Sequence, residues 1–219
     1  SSVSAAQGSS VSLSADGNTA MVGGPGDNDN AGATWVYTRS GSTWSQQGSK
    51  LVGTGVVRTS DPFGGSTGAA QGSSVSLSAD GNTAMVGGRA DNSNAGATWV
   101  YTRSGITWSQ QGSKLVGTGA TGTYVQQGSS LSLSADGKTA MVGGPRDNDL
   151  AGAAWVYVVG NPAYPLVTYD GNNNTGGSVP AAARQGIARK ALLHVFRTGC
   201  HARAASCAGG MDREEQGAL

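Results

Sequence analysis

Short runs in which apolar and polar residues alternate, each closed by glycine or a polar turn, recur along the first 159 residues. Around Val11 and Leu13 the apolar positions are two apart, so both fall on one face of a strand whose other face carries serine. The run stops at Asp16-Gly17, a dipeptide that readily supplies the positive φ of a tight hairpin turn. A second strand is predicted over 19–23, then a polar loop after Gly23-Gly24-Pro25, then a third strand over 33–38 rich in β-branched and aromatic residues. Beyond the Ser40-Gly41-Ser42 turn a fourth is predicted over 43–51. In the third strand Trp35 and Tyr37 point one way while Thr34, Val36 and Thr38 point the other, and neither face carries charge.

A four-stranded meander with contact surface on both faces cannot stand alone, but it can be sandwiched between copies of itself, and the chain supplies them. SLSADGNTAMVGG, a short loop and AGATWVY recur at 12–37, at 76–101 and, with small changes, at 132–157. Asp16 and Asp80 are 64 residues apart and Asp80 and Asp136 are 56 apart, near or slightly above the ~40–50 residues of familiar propeller repeats. The difference falls between the fourth strand and the next Gln-Gly, so it is a loop insertion: Leu51 and Gln71 are 20 positions apart, Leu115 and Gln127 only 12. The predicted fold class is therefore all-β: a partial β-propeller of three four-stranded antiparallel blades over 1–159, with a short helical or disordered C-terminal tail. Trp35, Trp99 and Trp155 are expected to fill the space between blades. Propellers close with ~4–8 blades, so to close a ring the remaining blades come from a parent chain or from a second copy; otherwise the three form an open arc with an exposed blade face. Ser1, inside what the other copies mark as an inter-blade loop, reads as the start of a fragment or processed product.

Composition narrows the function. Glycine, 37 of 219 residues, sits at repeated turn positions and so argues for order rather than low complexity. The net charge is +1, and residues 1–159 carry eight basic residues against nine Asp, which gives no electrostatic case for nucleic acid. No apolar run approaches the ~20 residues of a membrane span. Residues 1–159 also contain no Cys, His or Glu. Acid–base and nucleophilic catalysis usually draw on those groups, so the blades read as non-catalytic, with Asp pairs brought together across blades as the remaining route.

The best candidates for chemistry are the loops Asp27-Asn28-Asp29-Asn30, Asp91-Asn92-Ser93-Asn94 and Asp147-Asn148-Asp149-Leu150. Oxygen side chains at alternate positions ahead of Gly32, Gly96 or Gly152 look like the opening of a calcium loop, with Asp27, Asp29, Asp147 and Asp149 as ligands. Since the fifth position is Ala each time and no bidentate Glu follows, a second reading stands beside it: the Asp and Asn side chains cap a tight loop by bonding backbone amides. Trp44 and Trp108 begin the outermost strand, where a ring beside Gln and Ser could stack on a sugar or a protein, or simply pack. Arg39 and Arg103 lie nearby as rim contacts.

The order Gln7-Gly8, Asp16-Gly17, Val22-Gly23-Gly24-Pro25 and the run from Gly32 to Tyr37, repeated in the next two copies, resembles the bacterial FG-GAP repeat, related to the blades of the integrin α-subunit propeller. The Phe of "FG" is Gln here, the Ala of "GAP" is Gly, and the second copy has Arg89 for Pro. Integrin-type blades often carry an Asp-x-Asp-x-Asp-Gly calcium loop; here Ser12-x-Ser14-x-Asp16-Gly17 keeps one of the three acids. The resemblance implies a secreted or cell-surface bacterial module that binds or adheres to a protein or glycan ligand through loops on one propeller face. A carbohydrate-binding propeller using Trp44 and Trp108, or a structural spacer, are the alternatives.

After Tyr157 the third copy departs from the pattern at Val158-Val159-Gly160-Asn161-Pro162, and no fourth strand is expected there. Residues 167–180, VTYDGNNNTGGSVP, resemble the start of an internalin-type B repeat, with a short strand over 166–169, so 160–183 reads as a linker and truncated module. The tail, 184–219, differs in composition. From Ala181 onward lie both Cys, both His, both Glu and six of the fourteen basic residues. Ile187, Ala188, Ala191, Leu192 and Val195 recur at helical spacing and predict a basic amphipathic helix near 182–197 that could touch a membrane surface or dock on a blade. His194, Cys200, His201 and Cys207 supply four potential zinc ligands at an unfamiliar spacing, against unused thiols, one disulfide or a tail left by an interrupted reading frame.

Overall fold

The computed structural model describes residues 4–60, 66–160 and the pair 168–169. These belong to one compact unit, Ser1–Ala183. The second unit, Arg184–Leu219, lies outside the described residues, as do the helix expected near 182–197, the Cys and His residues of the tail and most of the internalin-like stretch.

Blade 1 is a meander of β1 (Ser10–Leu13), β2 (Thr19–Gly24), β3 (Ala33–Ser40) and β4 (Thr43–Gln46), antiparallel and paired in chain order. Its linker carries a two-stranded ribbon, β5 (Thr59–Ser60) with β6 (Ser66–Thr67), which accounts for the longer spacing to the second copy. Blade 2 repeats the meander with β7 (Gln71–Leu77), β8 (Thr83–Gly88), β9 (Ala97–Ser104) and β10 (Thr107–Gln110). Blade 3 consists of β11 (Ser130–Leu133), β12 (Thr139–Gly144), β13 (Ala153–Val158) and β14 (Thr168–Tyr169). Register is the same in all three, with Val22 opposite Trp35, Val86 opposite Trp99 and Val142 opposite Trp155. Equal turn and loop lengths enforce that agreement, since a one-residue slip would turn every side chain to the wrong face.

Two expectations are corrected. The fourth strand does not run over 43–51: Gly48 takes φ +68° and its counterpart Gly112 takes φ +62°, which cut the run after Gln46 and Gln110. The chain rejoins the sheet only at Leu51, which bridges Thr34, and at Leu115, which bridges Thr98. The third blade does have a fourth strand. β14, which the sequence reading assigned to a separate module, pairs Thr168 with Val156 and Tyr169 with Trp155.

The core lies between sheets. Met21 and Val36 of blade 1 pack against Val75, Leu77, Val86, Trp99 and Tyr101 of blade 2, and Met85 and Val100 of blade 2 pack against Leu133, Val142, Trp155 and Tyr157 of blade 3. Because side chains alternate along a strand, each blade turns its Met/Val face to the following blade and its Val/Leu/Trp/Tyr face to the preceding one. Blade 2 is thus covered on both sides. Each large side chain buried this way stabilises by about 1.5–3 kcal/mol, which an isolated meander could not collect.

The linkers are locked onto the following blade by a device that repeats. Gln71, fully buried, accepts from the Gly53 amide at 2.6 Å and donates to the Gly53 carbonyl at 3.0 Å. Gln127 grips Gly117 in the same way, at 2.6 and 3.1 Å. Beside them the indole N–H of Trp99 donates to the Thr54 carbonyl at 2.7 Å and that of Trp155 to the Thr118 carbonyl at 3.0 Å. A Cβ at Gly53 or Gly117 would collide with the indole ring beneath it. That close approach explains why Leu-Val-Gly-Thr-Gly occurs at both 51–55 and 115–119.

Candidate functional site

Each loop between the second and third strands of a blade contains three consecutive residues in the left-handed region: Asn28, Asp29 and Asn30 at φ 49°, 55° and 62°, then Asn92, Ser93 and Asn94, then Asn148, Asp149 and Leu150. Asn and Asp tolerate this conformation because their short side chains bond locally; most residues avoid it by about 1–2 kcal/mol. Two backbone bonds close each turn: the Ala31 amide donates to the Asn28 carbonyl at 3.1 Å and the Gly32 amide to the Asp27 carbonyl at 2.9 Å, with equivalents at Ala95 and Gly96 and at Ala151 and Gly152.

The first Asp of each loop faces inward. Asp91 is fully buried, accepts from the Val57 amide of the inter-blade linker at 2.8 Å and forms an ion pair with Lys114. Asp147, also fully buried, accepts from the Thr121 amide at 2.7 Å. Asp27 pairs with Lys50, whose ammonium also lies 6.0 Å from the Trp35 ring centre. The following positions face outward: Asn28, Asp29, Asn30, Asn92, Asn148 and Asp149 are exposed, and Asn94 is half-buried. The turns also touch their successors, since Asn30 accepts from the Ala70 amide and Asn94 from the Gln126 amide, each at 2.8 Å. The outward residues therefore line one edge of the stacked sheets at the blade repeat.

For calcium the donor set is a poor fit. A lysine ammonium already sits on the Asp27 carboxylate, and Asp147 is committed to backbone inside the protein. Among the described residues no group of three or more His, Cys, Asp or Glu converges as a metal site.

At the opposite edge the Asp-Gly turns are closed from within. Asp16 accepts from the Ser14 hydroxyl at 2.6 Å and from the Asn18 amide and side chain at 2.9 and 3.0 Å. Those bonds, the Ser14 hydroxyl first, hold its carboxyl at about 2, and the equivalent serines lower Asp80 and Asp136. Arg39 bonds Asn18 at 3.0 Å and stacks over Trp44 at 5.9 Å, while Arg103 bonds Asn82 at 3.0 Å and stacks over Trp108 at 5.4 Å. Trp44 is exposed. Trp108 is half-buried, because its indole N–H donates to Gln47 of blade 1 at 2.9 Å. In blade 3 Val159 stands where blade 2 has Arg103, and a shallow cavity of about 410 Å³ opens there beside Gln111, Asp136 and Lys138.

Sequence reasoning missed the Gln71 and Gln127 clamps and the lysines that meet the loop aspartates. The signal for both was present in GSKLVGTG, written twice, at 48–55 and 112–119.

No family model matches the chain, and no curated protein does. Among solved structures it is similar to TolB from Acinetobacter baumannii, with 12% identity and TM-score 0.41 over 76% of this chain and 32% of that one. It is also similar to Kuenenia stuttgartiensis hydrazine synthase, with 12% identity and TM-score 0.37 over 73% of this chain and 47% of that one. A putative 6-phosphogluconolactonase from Bacteroides uniformis gives 10% identity and TM-score 0.31 over 74% of this chain and 70% of that one. The chain thus spans about a third and about half of the first two. The assignment as a partial β-propeller rests on its own sheet order and stacking.

Proposed function

We propose that the chain is a non-catalytic binding module of a secreted or cell-surface bacterial repeat protein, built of FG-GAP-like blades, whose loop edge holds a protein or glycan ligand outside the cell. The observation that carries this reading is the threefold display of outward polar residues on left-handed backbone, in turns closed by backbone bonds and tied to a linker lysine or amide through the first Asp. Loops already fixed in one conformation lose little entropy on binding, which favours recognition. The absence of Cys, His and Glu from residues 1–159 supports binding over catalysis.

The test replaces Asn28, Asp29, Asn30, Asn92, Asn94, Asn148 and Asp149 by glycine, which keeps the left-handed backbone, and leaves Asp27, Asp91 and Asp147 in place. Binding to immobilised extracellular-matrix proteins and to a glycan array is then compared with the unsubstituted chain. A loss of at least tenfold on a bound probe is expected. Binding that survives the substitutions, or no binding by the unsubstituted chain, contradicts the reading.

A further inference from the structure

The outer faces of blades 1 and 3 are the two halves of an interface that the molecule already makes twice. On the blade 1 side, Val11 is 69% exposed and Leu13 60%, whereas Val75 and Leu77, the same positions one blade later, are 8% and 7% exposed. On the blade 3 side, Met141 is 50% exposed while Met21 and Met85 are fully buried. The polar addresses repeat as well. Ser10 donates its hydroxyl to the Gly72 carbonyl at 2.8 Å and Ser74 to that of Gly128 at 2.7 Å. The Ser12 hydroxyl accepts from the Leu77 amide at 3.0 Å and that of Ser76 from the Leu133 amide at 3.1 Å. The Ala15 amide donates to the Ala79 carbonyl and the Ala79 amide to the Ala135 carbonyl, both at 2.9 Å.

Glycine carries the point further. A Cβ at Gly23 would strike the Gly72 carbonyl, and one at Gly87 the Gly128 carbonyl, so the next blade demands glycine there. At Gly143, the third equivalent, the nearest atoms to a Cβ among the described residues all belong to Ser130 of its own blade. Blade 3 thus keeps the complete receiving face: Met141, Gly143, Ser130 and Ser132.

The geometry points to head-to-tail association of two copies, blade 3 of one seating on blade 1 of the other. Ser130 then donates to the Gly8 carbonyl of the partner copy, Ser132 accepts from its Leu13 amide, and Met141 covers its Leu13 and Trp35. Two copies joined at both ends present six blades, within the ~4–8 at which propellers close. Such an interface is heterologous, using different patches on the two partners.

Light scattering coupled to size exclusion on the full chain tests this. The expected mass is twice 21.7 kDa. Val11→Asp and Met141→Asp, both at exposed positions, should each be monomeric, with dissociation at least a hundredfold easier and unchanged far-UV circular dichroism. Mixing the two variants should restore a dimer, because the intact blade 3 of the first meets the intact blade 1 of the second. A monomer at every concentration overturns the proposal. So does a dimer broken by only one of the substitutions, which would mean a like-on-like contact, or one that neither breaks.

Discussion

Gln7 and Gln71 open two stretches of identical sequence, yet their replacement by alanine should have very different consequences. Gln71→Ala removes both partners of the Gly53 peptide group, a buried N–H and a buried C=O, bonded at 2.6 and 3.0 Å. An unsatisfied buried polar group costs about 1–3 kcal/mol, so the pair should cost about 2–6 kcal/mol, before any cavity left by a fully buried side chain is added. Gln7 is exposed and donates only to the Tyr37 hydroxyl, at 3.1 Å. Its loss should cost under about 0.5 kcal/mol, as at an ordinary surface position. Urea unfolding followed by tryptophan fluorescence compares them directly, because Trp99 packs against the clamped Gly53. Gln71→Glu separates bonding from volume: a carboxylate still accepts from the amide but cannot donate to the carbonyl, and a charge is buried, so it should be at least as damaging as alanine. Equal, small losses for Gln7→Ala and Gln71→Ala would refute the claim that these side chains hold the linkers in place.

Four further outcomes follow from the loop and turn geometry. Leu150 sits at φ 74° where the other two loops have Asn, so Leu150→Asn should raise unfolding stability by about 1 kcal/mol, read from the urea midpoint. Asp91→Ala strands Lys114 and the Val57 amide inside the protein and should cost about 3–5 kcal/mol. Asp27→Ala breaks a part-exposed pair and should cost no more than about 1 kcal/mol in the same titration. The carboxyls of Asp16, Asp80 and Asp136 are depressed in the folded state, so their contribution is complete above the ordinary value of 3.8 and is lost as pH falls toward about 2, the folded value of Asp16. The thermal midpoint should drop between pH 4 and pH 2, and the drop should be smaller in the triple Asp→Asn variant.

What the sequence made legible was local. The Asp-Gly turns, the alternation around Val11 and Leu13 and the strand carrying Trp35 depend on neighbours in the chain, and each forms where the pattern places it. The end of the fourth strand was misread because Leu51 and Val52 extend an apparently continuous run across Gly48, whose positive φ breaks it. The strand over 166–169 was expected, but its place as the fourth strand of blade 3 was not, because its pairing partner is in β13 and no local pattern announces a non-local ladder. Identical letters also take different surroundings. Thr43 and its three successors repeat at Thr107–Gln110, yet Trp108 is half-buried because blade 1 offers it Gln47, while Trp44 has only Arg39 over its face. The inward turn of Asp91 and Asp147 was open for the same reason: the amides they accept from lie in linkers 34 and 26 positions away.

Stacking, rather than local sequence, is what distinguishes the blades, and residues 5–24 and 69–88 provide the means to test that, because the two segments are identical. Site-resolved amide exchange by NMR on the Met141→Asp variant, at a dilution where light scattering reads a monomer, compares Leu13 and Val22 with Leu77 and Val86 in one sample. Covered on both sides, Leu77 and Val86 should exchange far more slowly than their twins in blade 1, which is covered on one. Equal protection at the paired positions would mean that each meander is stable by itself, and would contradict the stacked-blade account.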